Sequence, residues 1–332
     1  MLRRLTACLM AFILLFAALP AHADVEDLAI LSQWDERFFG HEFRYNNIYF
    51  RFGGCGPASV ANSLIAALGV TDQDLAAGIL YDLLYLLTQN KPVSNKVQIA
   101  HLSCLRSVNG QPPVLDERYP ALDQAIADFD GLFLYDDGLL TPEKLEAVLP
   151  ELEGRKAIYH GSLTSKNRWA ALYGLVETLI DTGHQDATIV VGFIGGGTTG
   201  TSAPFRSGNA GHYLGLYFPV ESFSQTGVYY VLDSQPRALF GESYGDDTVY
   251  PRIYDFVGKQ KASTSLDRFN QHFEVERVQP TILRVLPKGP ALDALNAAGP
   301  GELPLSALLP ALNDYVLFYG TAHIFISFPG EQ

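Results

Sequence analysis

A chain of 332 residues is long enough to bury a large core. Its formal net charge of −13 excludes the classes that hold nucleic acid or anionic membrane through a basic surface. Three cysteines, at positions 8, 55 and 104, are too few for a disulfide-dense secreted scaffold.

The first 23 residues read as a secretory leader. Arg3 and Arg4 precede an apolar run from Ala7 to Leu19, and Ala21-His22-Ala23 offers a small-residue cleavage site. The run is shorter than the about 20 residues that span a bilayer, so cleavage after Ala23 is expected rather than retention as an anchor. Cys8 sits inside the run and not at its end, which argues against a lipid-attached N-terminus. Without Arg3 and Arg4 the formal charge becomes −15. The expected location is periplasmic or secreted. No later stretch is apolar enough to cross a membrane, so no stable insertion is expected after cleavage. Residues 24–332 are expected to form one domain.

The region from 55 to about 183 reads as mostly helical. "PASVANSLIAAL" (57–68) has Pro57 where a first helical residue fits, and Val60, Leu64, Ile65 and Leu68 share a face. Thr71 opens "TDQDLAAGILYDLLYLL", with Asp74 three residues on as a capping partner. Short helices are predicted over 94–105 and 120–129. "TPEKLEAVL" (141–149) has a Thr cap and a proline at the first helical position. In "KNRWAALYGLVETLIDTG" (166–183), Trp169, Leu172, Leu175, Val176, Leu179 and Ile180 make an apolar stripe, and Gly183 can end the helix.

Past 183 the pattern changes. Strands are predicted over 187–194, 213–220, 228–232, 248–257, 273–286, 315–319 and 323–328, where β-branched and aromatic residues concentrate. Helices first and a mostly antiparallel sheet over about 187–330 make an α+β pattern, not an alternating one. The Gly/Ser/Thr-rich stretch 195–211 lacks the Lys-Ser/Thr ending of a phosphate-binding loop. It reads as a connector, or as a mobile lid running into His212.

Cys55 lies in "FGGCGPASVANSL" (52–64), where a helix begins. A helix N-terminus favours the thiolate, the nucleophilic form, and Gly53, Gly54 and Gly56 leave room for a substrate. The same residue also suits a structural thiol or a Cys55–Cys104 disulfide. A nucleophile needs a base, and the base needs an orienting group. His212 precedes "YLGLYFPV", Asp233 follows "VYYVL", and the polar "ESFSQTG" (221–227) lies between. A hairpin centred there pairs 212 with 233 and brings the carboxylate beside the imidazole.

"CGPAS" at a helix start, Gly-His before a strand and "YYVLDS" on the next strand together resemble the papain-like cysteine peptidase superfamily. Within it, the resemblance is to the branch of bacteriocin-leader-processing peptidases. It covers about 52–68 and 186–236. It implies a papain-like fold and a Cys-His-Asp trio: Cys55 as nucleophile, His212 as base and Asp233 as its orienting group. The 157 residues from Cys55 to His212 then imply a helical insertion within about 70–165. One departure stands out: the family places an oxyanion-binding glutamine shortly before the cysteine, and no glutamine lies between Gln33 and Cys55. Asn46 or Asn47 can supply the amide instead, or serve as ordinary turn residues.

No other group competes. "HLSC" (101–104) has metal-like spacing but no second pair, and His41, His160, His184, His272 and His323 form no i, i+4 pair. No metal and no cofactor are expected. The expected activity is that of a cysteine hydrolase, a peptidase or amidase working through a thioester on a peptide or protein substrate, with no nucleic acid as partner. The alternatives are a thiol acyltransferase using the same trio and a catalytically inactive binding or scaffold module.

Overall fold

The computed structural model describes residues 24–32, 35, 44–45, 48–49, 55–89, 119–164, 168–196, 212–234, 271–298, 316–317 and 321–330. The helices are α1 (Cys55–Leu68), α2 (Gln73–Gln89), α3 (Pro120–Phe129), α4 (Pro142–Leu152), α5 (Arg168–Asp181), α6 (Val220–Thr226) and α7 (Pro290–Ala297). A short pair, β1 (Arg44–Tyr45) and β2 (Ile48–Tyr49), stands apart from the main sheet. That sheet holds β3 (Leu132–Leu139), β4 (Lys156–Thr164), β5 (Thr188–Gly196), β6 (His212–Pro219), β7 (Tyr229–Leu232), β8 (Phe273–Gln279), β9 (Ile282–Pro287), β10 (Val316–Leu317) and β11 (Thr321–Pro329).

The strand order is β3-β4-β11-β5-β6-β7-β9-β8, with β10 also on β5. Only β3 and β4 run parallel; every other pairing among the described residues is antiparallel. The C-terminal strand β11 thus inserts between β4 and β5, tying the last residues of the chain to its middle. The architecture is mixed helix and mostly antiparallel sheet, as the α+β expectation has it.

Helices cover both faces of the sheet. One face places Phe133, Ile158, Val190, Tyr217, Leu232 and Phe325 against α1, α2 and α3. The other places Tyr159, Ile189, Val191, Leu216, Phe218 and Ile326 against α4 and α5. The alternation along each strand decides which residue faces which layer.

Several local expectations are met. Thr141 Oγ1 caps α4 by accepting from Lys144 N, with Pro142 in first place. On α5, Trp169, Leu172, Leu175, Val176 and Leu179 are buried, and Gly183 has φ +83°. Others change. The cap of α2 is Asp72, whose Oδ1 accepts from Asp74 N and Leu75 N at 2.8 Å, not Thr71. Helix α1 starts at Cys55 itself rather than at Pro57, and it is buried on all sides, not on one stripe. Its alanines and serines let sheet and α2 approach closely from opposite sides.

The larger difference is that β3 and β4 fall inside the segment read as helical. "LFLYDDGL" and "KAIYHGSLT" carry Asp, Gly, His and Ser, which dilute the strand signal. β4 is a strand because both its faces are buried and β11 pairs with it along its whole length, and β3, half-buried at the sheet edge, is held by parallel pairing with β4 and by Phe133 in the core. Likewise 273–286 is two strands in a hairpin turning at 280–281, not one. The predicted segments 94–105 and 248–257 lie outside the described residues.

Candidate active site

Helix α1 runs antiparallel to β5. Near its end, the Ala67 carbonyl accepts from Ser327 Oγ at 2.9 Å, and Ser327 pairs with Thr188, the first residue of β5. Midway, Ser63 and Ser59 lie against Gly192 so closely that a Cβ on Gly192 would stand 2.7 Å from Ser63 Cβ. The glycine is therefore required by the approach of the helix. One turn beyond Ser59 is Cys55, and the last residue of β5 is Gly196, the partner of His212. Helix and strand thus carry Cys55 and His212 to the same end of the sheet.

Strand β5 also gains one residue on β6 there. Val191 pairs with Leu216, but Ile194 pairs with Leu214, so three steps on β5 match two on β6. Such a bulge bends the strand and re-aims the residues beyond it.

Asp233 reaches this end as well. It comes directly after the last residue of β7, is fully buried, and its N–H donates to the Thr281 carbonyl at 2.9 Å. Strands β6 and β7 do pair antiparallel, as the hairpin expectation requires. The register differs by two residues. Gly215 pairs with Leu232, so one further step sets position 233 level with 214, not with 212. The connection explains the shift: 221–227 is not a simple turn but the helix α6, ended by Gly227 at φ +67°. On the pleat, positions two apart share a side, so 233 and 212 stand in a diagonal relation, at about 7–8 Å between backbone positions. Counted by alternation from Leu216 and Val231, that side is the α4–α5 face, so positions 212 and 233 share an end of the sheet with Cys55 but not the face that α1 covers.

Asn46, Asn47 and Cys104 lie outside the described residues, as do most of 195–211 and "HLSC" (101–104). Asn46 and Asn47 fall in sequence between the paired strands β1 and β2. Among the described residues, no three His, Cys, Asp or Glu side chains converge as metal ligands. No helix of the described residues is long and apolar enough to cross a membrane.

A second polar group was not legible in the sequence. His160 on β4 and His323 on β11 are 163 positions apart, yet His160 Nε2 lies 3.0 Å from His323 Nδ1. Both side chains are fully buried. Tyr135 stacks on His160 with ring centres 4.7 Å apart, and Phe325 closes another side. Desolvation pushes His323 down to about 4. The same cause, with the neighbouring His323, holds His160 well below its ordinary value, against a weaker pull from the Asp136 backbone. The two rings are therefore neutral imidazoles, one donating its N–H to the other. Only cross-strand register brings them together, and no local spacing signals it.

Compared with known proteins, the chain matches no protein-family model, no curated protein sequence and no solved structure.

Proposed function

We propose that the protein is an exported cysteine hydrolase, a peptidase or amidase, with Cys55, His212 and Asp233 as its working trio. The observation that supports it most is topological. The start of α1, the start of β6 and the end of β7 lie towards one end of the sheet, in the chain order of the papain-like peptidases that the motifs resemble.

In this reading the Cys55 thiolate attacks the carbonyl carbon of a peptide or protein substrate. The helix N-terminus favours the thiolate, and the Cys55 N–H is one oxyanion donor. His212 holds the thiol proton and passes it to the departing amine as the C–N bond breaks, leaving a thioester. Water then attacks the thioester, His212 takes its proton, and the acid leaves with Cys55 restored. Asp233 holds the imidazole orientation and stabilises its charged form. Asn46 or Asn47 is the proposed second oxyanion donor. An amine or thiol in place of water would make the same trio an acyltransferase.

The missing upstream glutamine favours one other reading, a binding module on a papain-like scaffold. Alkylation with iodoacetamide across pH, read by mass spectrometry at Cys55 and Cys104, separates the two. Rapid modification of Cys55 well below the ordinary thiol range of about 8.5, weakened in His212→Ala, is the expected result. A Cys55–Cys104 crosslinked peptide, with no activated thiol after reduction, overturns it.

A further inference from the structure

The segment Asp24–Ser32, one turn of 3-10 helix (Val25–Asp27) followed by irregular chain, lies between α1 and the β7–β9 end of the sheet, with Leu28, Ala29, Ile30 and Leu31 buried in the core. Its backbone is held at almost every step. Ala29 N donates to the Val70 carbonyl at 2.9 Å. Asn62, fully buried on α1, grips Leu31 twice: its Oδ1 accepts from Leu31 N and its Nδ2 donates to the Leu31 carbonyl, each at 2.9 Å. Thr281 Oγ1 donates to the Ile30 carbonyl at 2.9 Å. Ser32 Oγ donates to the Ser234 carbonyl at 3.2 Å.

These bonds form one path. From Asn62 it crosses Leu31 and Ile30 to Thr281, whose carbonyl receives the Asp233 N–H. A branch runs through Ser32 to Ser234, the next residue. Asn62 is seven residues from Cys55, two helical turns, so the Cα atoms of both lie on nearly the same side of α1. The segment therefore bridges the side of α1 where the chain turns in from Cys55 and the backbone that carries Asp233.

We infer that this segment is a positioning strap: it fixes the distance between the helix that starts with Cys55 and the carboxylate of Asp233. The inference rests on the function proposed above. The bonds that Asn62, Thr281 and Ser32 make to this segment and to Ser234 run to backbone groups, so these three act as positioning residues. A buried side-chain amide that bonds both backbone groups of one residue allows little sliding, because any shift would break two bonds in a dry site. Loosening the strap lets Asp233 drift from His212, which weakens the charged imidazole and with it the thiolate.

The test is the pH profile of Cys55 alkylation by iodoacetamide in Thr281→Val, Thr281→Ser and Ser32→Ala, with near-ultraviolet circular dichroism as the check on folding. Thr281→Val is expected to raise the apparent pKa of Cys55 by about one unit, roughly a tenfold slower reaction at pH 6. Thr281→Ser restores the wild-type profile. Ser32→Ala, at the half-buried end of the strap, shifts it in the same direction and decides the matter should Thr281→Val fail to fold. A folded Thr281→Val or Ser32→Ala with lowered Tm and an unchanged profile overturns the strap, provided Asp233→Asn shifts the profile. If Asp233→Asn and His212→Ala also leave it unchanged, the proposed trio falls and the strap's role falls with it.

Discussion

His160 Nε2 and His323 Nδ1 lie 3.0 Å apart across the neighbouring strands β4 and β11, with no exposed surface on either ring. Among the described residues, Tyr135 and the Asp136 backbone from β3 and Phe325 from β11 lie against the pair. β5 offers only Gly192 and Val190 in register with His323 and Phe325. Both imidazoles are held neutral below their unfolded pKa of about 6.5. The unfolded chain therefore binds more protons than the folded one between about 6.5 and 4. The stability this pair contributes is present above that window and lost as pH falls through it, at up to about 1.4 kcal/mol per pH unit for each titrating ring. Urea unfolding of the wild type against a His160→Phe, His323→Leu variant, at pH 7 and pH 5, measures it. The variant is expected to lose markedly less stability across that interval, and an equal loss would refute the assignment.

Gly192→Ala tests the seating of α1. The added methyl meets Ser63 Cβ at 2.7 Å and approaches the Ser59 carbonyl at 3.4 Å, so helix and strand must part. Overpacking of this kind costs about 1–3 kcal/mol. A second change, Ser63→Gly, removes the obstacle and returns part of the loss, less the about 1 kcal/mol that glycine costs within a helix. Thermal melts of the single and double variants give the coupling.

Helix α3 has no side-chain cap of its own at Tyr119. Asp82 of α2 supplies one from a distance: its Oδ2 accepts from Ala121 N at 2.8 Å and Leu122 N at 2.9 Å. Asp82→Ala is expected to cost about 1–2 kcal/mol, the loss of an N-cap. Asp82→Asn keeps an acceptor oxygen and should lose less. Denaturant midpoints of the two variants distinguish a hydrogen-bonding role from mere volume.

Gly227 ends α6 at φ +67°, and a Cβ there would meet Leu295 Cδ1 and Pro287 Cγ at 2.8 Å each. Gly227→Ala combines backbone strain of about 1 kcal/mol with a steric clash, so a loss above that figure is expected in the Tm. Because α6 joins β6 to β7, its end also sets the register that relates 212 to 233. Slower alkylation of Cys55 in folded Gly227→Ala is the accompanying expectation.

Local chemistry determined much of this protein from the sequence alone. Thr141 with Pro142 marks the start of α4, Pro120–Phe129 matches its predicted helix, and the stripe from Trp169 to Leu179 finds the core of α5. Each of these signals lies within a few residues, where capping and a 3.6-residue period act. The same locality singled out Cys55 beside a helix start. What only the tertiary structure decided involves partners far apart in the chain. β3 and β4 are strands through burial and pairing despite weak propensity, and β11 enters the middle of the sheet from the C-terminal end. The two-residue register between β6 and β7 comes from α6, which reads as a turn until it is seen to wind. His160 meets His323, and Asn62 meets Leu31, across long separations that no periodicity records. Sequence pattern fixes which side of an element is apolar; which distant side chain it then meets depends on register and closure, and those are properties of the whole chain.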